Sequence, residues 1–263
     1  MFDKLRDRTR NAESSNPLIR SAQRAATRDE QLGVLEAGLA PEGLASARPM
    51  TVAGAINKTL VLTILMLVTT AVSYSYPSPL LMWGGAIGGL VMVLLGTFKP
   101  NTATWAAPAY ALFEGLFVGA ISAVYAAQYG GIVLQAVSLT VALLLAMLFL
   151  YQAGVIKVTA KFRAGVMMAT GAVLVVYLAS FALSFFGVNL PFLHEGGTIG
   201  IAISCVIIAI ASLNLLIDFD NFERGASAGL DRKYEWVFAM GLLVTLVWIY
   251  VELLRLLSYL NRE

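Results

Sequence analysis

From about Ile56 onward, seven apolar stretches follow one another at approximately 56–76, 79–98, 104–127, 131–151, 165–187, 198–217 and 236–257. An α-helix needs about 20 such residues to cross the hydrocarbon core of a bilayer. A membrane strand needs only about 9–11 and alternates apolar with polar residues. These runs are continuous, so each is predicted as a helix that satisfies its own backbone. The breaks carry turn chemistry: Tyr76-Pro77-Ser78-Pro79, Lys99-Pro100-Asn101, Gly130-Gly131, Asn189-Leu190-Pro191 and Gly196-Gly197. Several connections are very short, which makes consecutive helices antiparallel neighbours. The expected fold class is all-α, a polytopic bundle of seven transmembrane helices over residues 51–263.

Composition narrows the function classes. Apolar residues make up 59% of the 263, charged residues 13%, and the mean hydropathy is +0.77. A soluble domain carries about 25% charge, so the expected partner is the lipid bilayer. A formal charge of +2 is too small for a nucleic-acid footprint, and no nucleic-acid partner is expected. The single cysteine, Cys205, has no partner for an intramolecular disulfide, and the single histidine, His194, excludes a His-rich zinc site. No Walker loop, GxSxG elbow, HExxH or EF-hand loop is present. Ser204 and Ser212 have no intramembrane histidine or lysine to activate them. Neither an enzyme nor a bound cofactor is expected.

Residues 1–50 are different, with eight Lys/Arg, seven Asp/Glu and only scattered apolar side chains. They lack the apolar core of a secretory signal peptide. They are expected to form a polar, flexible cytoplasmic tail, with a short surface-seeking helix around Phe2 and Leu5 as the alternative. If this tail is inside, Lys58, Lys99, Lys157, Lys161, Arg163, Arg224, Arg232 and Lys233 lie on inside edges. The outside connections near 77–79, 128–131 and 188–197 hold no Lys or Arg. That asymmetry is the positive-inside pattern. It predicts cytoplasmic loops at 99–103, 152–164 and 218–235, and seven spans then place the C-terminus outside. A re-entrant last helix would return it to the cytoplasm. Small-xxx-small pairs at Gly84/Gly88, Gly85/Gly89 and Gly115/Gly119 are expected at helix contacts.

The informative polar residues are those that are costly inside a membrane. A charge at a helix centre costs at least about 2.5–3.5 kcal/mol. Glu114 lies about ten residues into the third span, roughly 15 Å deep. It is either protonated or paired across the bundle. Asp218 and Asp220 close the sixth span in LNLLIDFDNFERG. They are interfacial if the helix stops there, and face a bundle interior or polar vestibule if it continues through Glu223. Glu252 lies about 16 residues into the last span, with Arg255 one turn away on the same face. The two form a local ion pair, or Glu252 titrates along a polar pathway.

These residues resemble the Bax inhibitor/YccA family of integral membrane proteins. LNLLIDFDNFERG followed by YEWVFAMGLLVTLVWIYVELLRLLSYL is similar to the bacterial branch, as are PAYALFEGLFVGAIS, the segment Gly131–Ala136 and SSNPLIR in the tail. The resemblance covers nearly the whole chain. It implies a last helix surrounded by the other six. It also implies a carboxylate pair on the sixth and seventh helices that senses protons and gates a calcium leak. Carried over, the pair is Asp218 and Glu252, with Asp220 as a register alternative and calcium near Asp218, Asp220 and Glu252. The seventh-helix acid is Glu where the family has Asp. The 34-residue separation offsets Asp218 from Glu252 by roughly 12–15 Å along the axis, so Glu114 is a further candidate partner for Glu252.

The resemblance implies the first of two functions, and the long tail and scarce intramembrane charges suit the second. One is a pH-sensitive calcium leak channel, or an exchanger-like path, in a bacterial inner membrane. The other is a regulatory protein that binds a membrane partner such as a membrane-bound protease. Beyond Glu114, Asn214 and Glu252 the spans offer mainly Ser, Thr and Tyr, which argues against high flux.

Overall fold

The computed structural model describes residues 49–184 and 197–262. It holds seven helices: α1 Val52–Ser75, α2 Pro79–Phe98, α3 Ala103–Gln128, α4 Ile132–Gln152, α5 Ala160–Ser184, α6 Thr198–Ser227 and α7 Tyr234–Leu260. A 3-10 turn, Pro100–Thr102, joins α2 to α3. All seven helices are long and apolar enough to cross a membrane, which makes this a multi-pass membrane protein. The start of the tail and the loop before α6 lie outside the described residues.

Local chemistry sets the helix starts. The Thr51 hydroxyl accepts from Gly54 N–H at 2.9 Å and caps α1. The Ser78 hydroxyl accepts from Leu81 N–H at 3.2 Å, with Pro79 at the first helical position of α2. Both pairings fill orphan donors of a first turn.

The helix ends depart from the sequence reading. Hydropathy stops the sixth span at 217, whereas α6 runs ten residues further to Ser227. The segment DFDNFERGAS is polar but helix-competent, and Asp220 pairs with Arg224 one turn later. The helix ends only at Gly229, whose φ of +63° few other residues accept. There Gly229 N–H donates to Ala226 C=O and Leu230 N–H donates to Gly225 C=O, both at 3.1 Å, a Schellman closure. The predicted loop at 218–235 therefore shrinks to 228–233. Likewise α5 begins at Ala160, before its basic residues Lys161 and Arg163, rather than at 165.

The same closure anchors the start of α1. Met50 N–H donates to Leu230 C=O at 2.7 Å, and Pro49 bridges to Asp231. Met50 is buried, with its sulfur in the space beside Gly225. Pro49 and Met50 thus belong to the helical unit, which shortens the expected 50-residue tail at its end.

Helix α7 lies at the centre. It packs against α6, α1, α3 and α4, with a slender contact to α2. Its apolar span is 61% buried, against 11% for those of α4 and α5. It carries much of the core, including Leu243, Ile249, Leu253 and Leu254. Helix α3 reaches its neighbours through a ladder of small residues every fourth position: Ala103, Ala107, Ala111, Gly115 and Gly119, all buried. A Cβ on Gly115 would lie 2.3 Å from Met66 C=O, and one on Gly119 2.3 Å from Thr70 C=O, so α1 and α3 touch backbone to backbone. Gly85 meets the α3 backbone in the same way, Gly88 makes room for the Phe113 ring, and Gly84 faces open space. Outer faces of α1, α2, α4 and α5 expose Ile64, Leu80, Leu134 and Val175, each more than half accessible, as a bilayer-facing surface requires.

The two ends of the bundle are chemically distinct. At one end the start of α1, the α2–α3 and α4–α5 connections and the α6–α7 turn are tied together. Lys233 Nζ donates to Asn101 Oδ1 at 2.8 Å, and Arg224 Nη2 donates to Val158 C=O at 3.2 Å. At the other end Arg262 Nε donates to Tyr129 OH at 2.8 Å. The last helix therefore runs the full depth rather than turning back.

Candidate functional site

The membrane acids take up three levels along α7. Asp218, the twenty-first residue of α6, accepts from the Thr245 hydroxyl through Oδ2 at 2.7 Å. Its other oxygen lies 4.0 Å from where a Cβ on Gly241 would stand. It lines a cavity of about 180 Å3 with Thr97, Asn221, Val93 and Met240. Because α6 continues past it, Asp218 faces a small, largely apolar cavity between α2, α6 and α7.

Glu114 is one level further along. It lines a cavity of about 330 Å3 bounded by Val93, Tyr110, Val244, Val247, Trp248 and Val251. Its carboxylate reaches across to α2, where a Cβ on Gly89 would lie 2.6 Å from Oε2. Gly89 thus provides the space that the acid fills. Among the described residues, neither Glu114 nor Asp218 has a cation within ion-pair distance. Val93 lies on the wall of both cavities.

Glu252 is the contrasting case. It is 3% exposed. Arg255 Nη2 donates to Oε1 at 2.5 Å, and Tyr177 OH on α5 donates to Oε2 at 2.9 Å. The guanidinium lies 5.3 Å from the Tyr177 ring centroid. Arg255 therefore turns inward to Glu252 instead of extending to the membrane surface, and both carboxylate oxygens are occupied. Asp218 and Glu252 do not share a partner. Thr245, which marks the level of Asp218, precedes Glu252 by seven residues, about 10 Å along the helix. Beside this group, Ser122 Oγ and Tyr250 OH lie 2.7 Å apart and join α3 to α7.

Asp220 points elsewhere, to Arg163 Nη2 at 2.6 Å and Arg224 Nε at 2.5 Å. Arg163 also donates to Asn221 Oδ1 at 2.7 Å. The group clamps α5 to α6 at the basic end of the bundle. Among the described residues no three His, Cys, Asp or Glu side chains gather into a metal-holding group, and Asp218, Asp220 and Glu252 stand in three separate settings.

Several partners are not visible in one dimension. Tyr177 and Thr245 are ordinary membrane residues until an acid from another helix reaches them. Glu235, 2% exposed, is a further buried acid that sequence reasoning passed over. In sequence it is only an acid in a helix's first turn, where the macrodipole favours one. In the fold it accepts from Thr51 N–H at 2.9 Å and pairs with Lys58, which locks the start of α1 to the start of α7.

The arrangement is a seven-helix unit built around an acid-bearing last helix. None of the curated proteins matches the sequence. Residues 6–262 match the family model described as Bax inhibitor 1 like. That match takes in all seven helices and every acid described above, and the chain belongs to the Bax inhibitor 1 like family.

Proposed function

We propose that the protein is a proton-gated ion pathway of a bacterial inner membrane that lets calcium leak down its gradient. The observation that carries this reading is the pair of cavities against α7, each holding one carboxylate without a cation partner and both bounded by Val93. Calcium prefers oxygen ligands, and carboxylates in an apolar wall supply both charge and ligands. Protonation of either acid removes one unit of charge from the pathway. Glu114 and Asp218 are therefore the sensing groups, while Glu252 is held by Arg255 and shapes the opposite end. The basic end faces the cytoplasm, because the Lys/Arg residues of the loops gather there.

The test is calcium flux in proteoliposomes at pH 6 and pH 8. Parent protein passes calcium at a rate that differs between the two. Glu114→Gln with Asp218→Asn fixes the charge of the pathway and flattens the difference. Equal flux at both pH values in the parent sinks the reading.

A regulatory role is favoured by one observation, the thin packing of α5, which buries only Val166 and Ser180 among its described residues. It leaves Met168, Val175 and Phe181 more than half accessible. A membrane-protein partner on that face, with no flux in liposomes, is the alternative. In either case the protein acts without catalysis.

A further inference from the structure

At the end of the bundle where α1 begins, a cavity of about 490 Å3 opens sideways between α1, α3 and the start of α7. Lys58, Arg232 and Lys233 line it, with Trp236 and Thr104 on its walls and Val61 at its lower edge. We propose that this pocket binds the phosphodiester headgroup of an anionic glycerophospholipid, with the acyl chains lying along α1.

Charge is the first argument. Three cations face two carboxylates, Asp231 and Glu235, so the pocket keeps one net positive charge, the match for a monoanionic phosphodiester. The cations are not equally engaged. Lys58 pairs with Glu235 and lies 5.2 Å from the Trp236 ring centroid. Arg232 is held only loosely, 3.7 Å from Glu235, with its side chain 57% exposed. Lys233 is 3.8 Å from Asp231 and donates to Asn101 Oδ1 at 2.8 Å. Arg232 can turn to a phosphate without opening the Lys58–Glu235 lock, and Lys233 joins it by exchanging Asn101 for the phosphate.

Depth is the second argument. Trp236 is the third residue of α7 and Trp105 the third of α3. Tryptophan concentrates at the headgroup level, so the pocket lies where phosphates lie. Below it, α1 exposes Leu60, Val61 and Ile64 to the membrane side, a continuous apolar track for acyl chains. Basic pockets between transmembrane helices are headgroup sites on these same grounds.

The experiment uses the purified full chain in detergent, with native mass spectrometry after addition of phosphatidylglycerol or phosphatidylcholine at equal concentration. Phosphatidylglycerol binds several-fold more tightly. Arg232→Gln with Lys233→Gln lowers its affinity about thirtyfold, about fivefold for each cation removed. Lys157→Gln, on the α4–α5 connection, leaves it unchanged. If the double variant fails to fold, Arg232→Gln alone gives a smaller loss in the same direction. Millimolar inorganic phosphate does not displace the lipid, because the apolar track holds its chains. Equal binding of the two lipids, or full binding by the variants, overturns the site. Displacement by inorganic phosphate makes it a free-anion site and overturns the lipid assignment.

Discussion

Glu252 and Glu114 are both glutamates deep within apolar helices, yet their surroundings answer opposite needs. Glu252 is enclosed by an arginine and a tyrosine that occupy both of its oxygens. Glu114 has a glycine's vacant space and an apolar cavity. The first arrangement pairs the acid with a cation; the second leaves it without one. Sequence spacing offers Glu252 an arginine on its own helix and Glu114 none, and α5 and α2 complete the difference with Tyr177 and the space beside Gly89.

The comparison breaks most readily at Arg255. Replacing it by Met leaves the Glu252 carboxylate buried with only Tyr177. Breaking one side of a buried pair costs about 3–5 kcal/mol. Thermal unfolding in detergent should show that loss, and Arg255→Met with Glu252→Gln should recover most of it. An Arg255→Met variant as stable as the parent would mean that Glu252 is not held as a charged pair.

The next effect lies beside Glu114 and tests the frame that presents it. Gly115→Ala puts a Cβ 2.0 Å from Thr69 Oγ1 and 2.3 Å from Met66 C=O. The neighbour is backbone, so α1 and α3 must separate, at about 1–3 kcal/mol. Gly84→Ala, which meets open space, is the control and should raise the unfolding midpoint slightly, since alanine suits a helix interior better than glycine. Equal behaviour of the two variants would argue against the close α1–α3 contact.

These examples show what was legible in the sequence. The seven spans could be read because hydropathy reports contact with lipid, and lipid surrounds every outer face. Helix ends could not, because hydropathy marks the membrane edge and not the end of hydrogen bonding. Asp218 therefore looked terminal although α6 continues for nine residues. The acids themselves stood out through their cost in an apolar run. Their partners did not: Tyr177 is 75 residues from Glu252 and Thr245 is 27 from Asp218. The family's acid pair carried over as Asp218 and Glu252, and the structure sets these at different levels of α7 with different partners.

Replacing Glu114 itself sharpens the contrast from the other direction. Glu114→Gln keeps the shape and removes a carboxylate that no cation balances. Stability should change by less than about 1 kcal/mol, since no ion pair is lost, while the pH response of calcium flux should weaken. Glu252→Gln leaves Arg255 unbalanced and should cost more. If Glu114→Gln proves the more destabilising of the two, the assignment of free and fixed acids is reversed.

The smallest effect is a coupling. Take Asp218→Asn with Glu252→Gln, and Asp218→Asn with Glu114→Gln, and read each cycle as the pH midpoint of calcium flux. Sites more than about 7–10 Å apart without shared partners add to within roughly 0.3–0.5 kcal/mol. Asp218 and Glu252 meet that description, with Thr245 serving one and Arg255 and Tyr177 the other. Their midpoint shifts should sum. Asp218 and Glu114 face neighbouring cavities that share Val93. A proton on one changes the field at the other through an apolar wall, where screening is weak. Their shifts should fall short of, or exceed, the sum. Strong coupling in the first cycle with none in the second would return the sensing role to the pair on α6 and α7 and leave Glu114 a solitary buried acid.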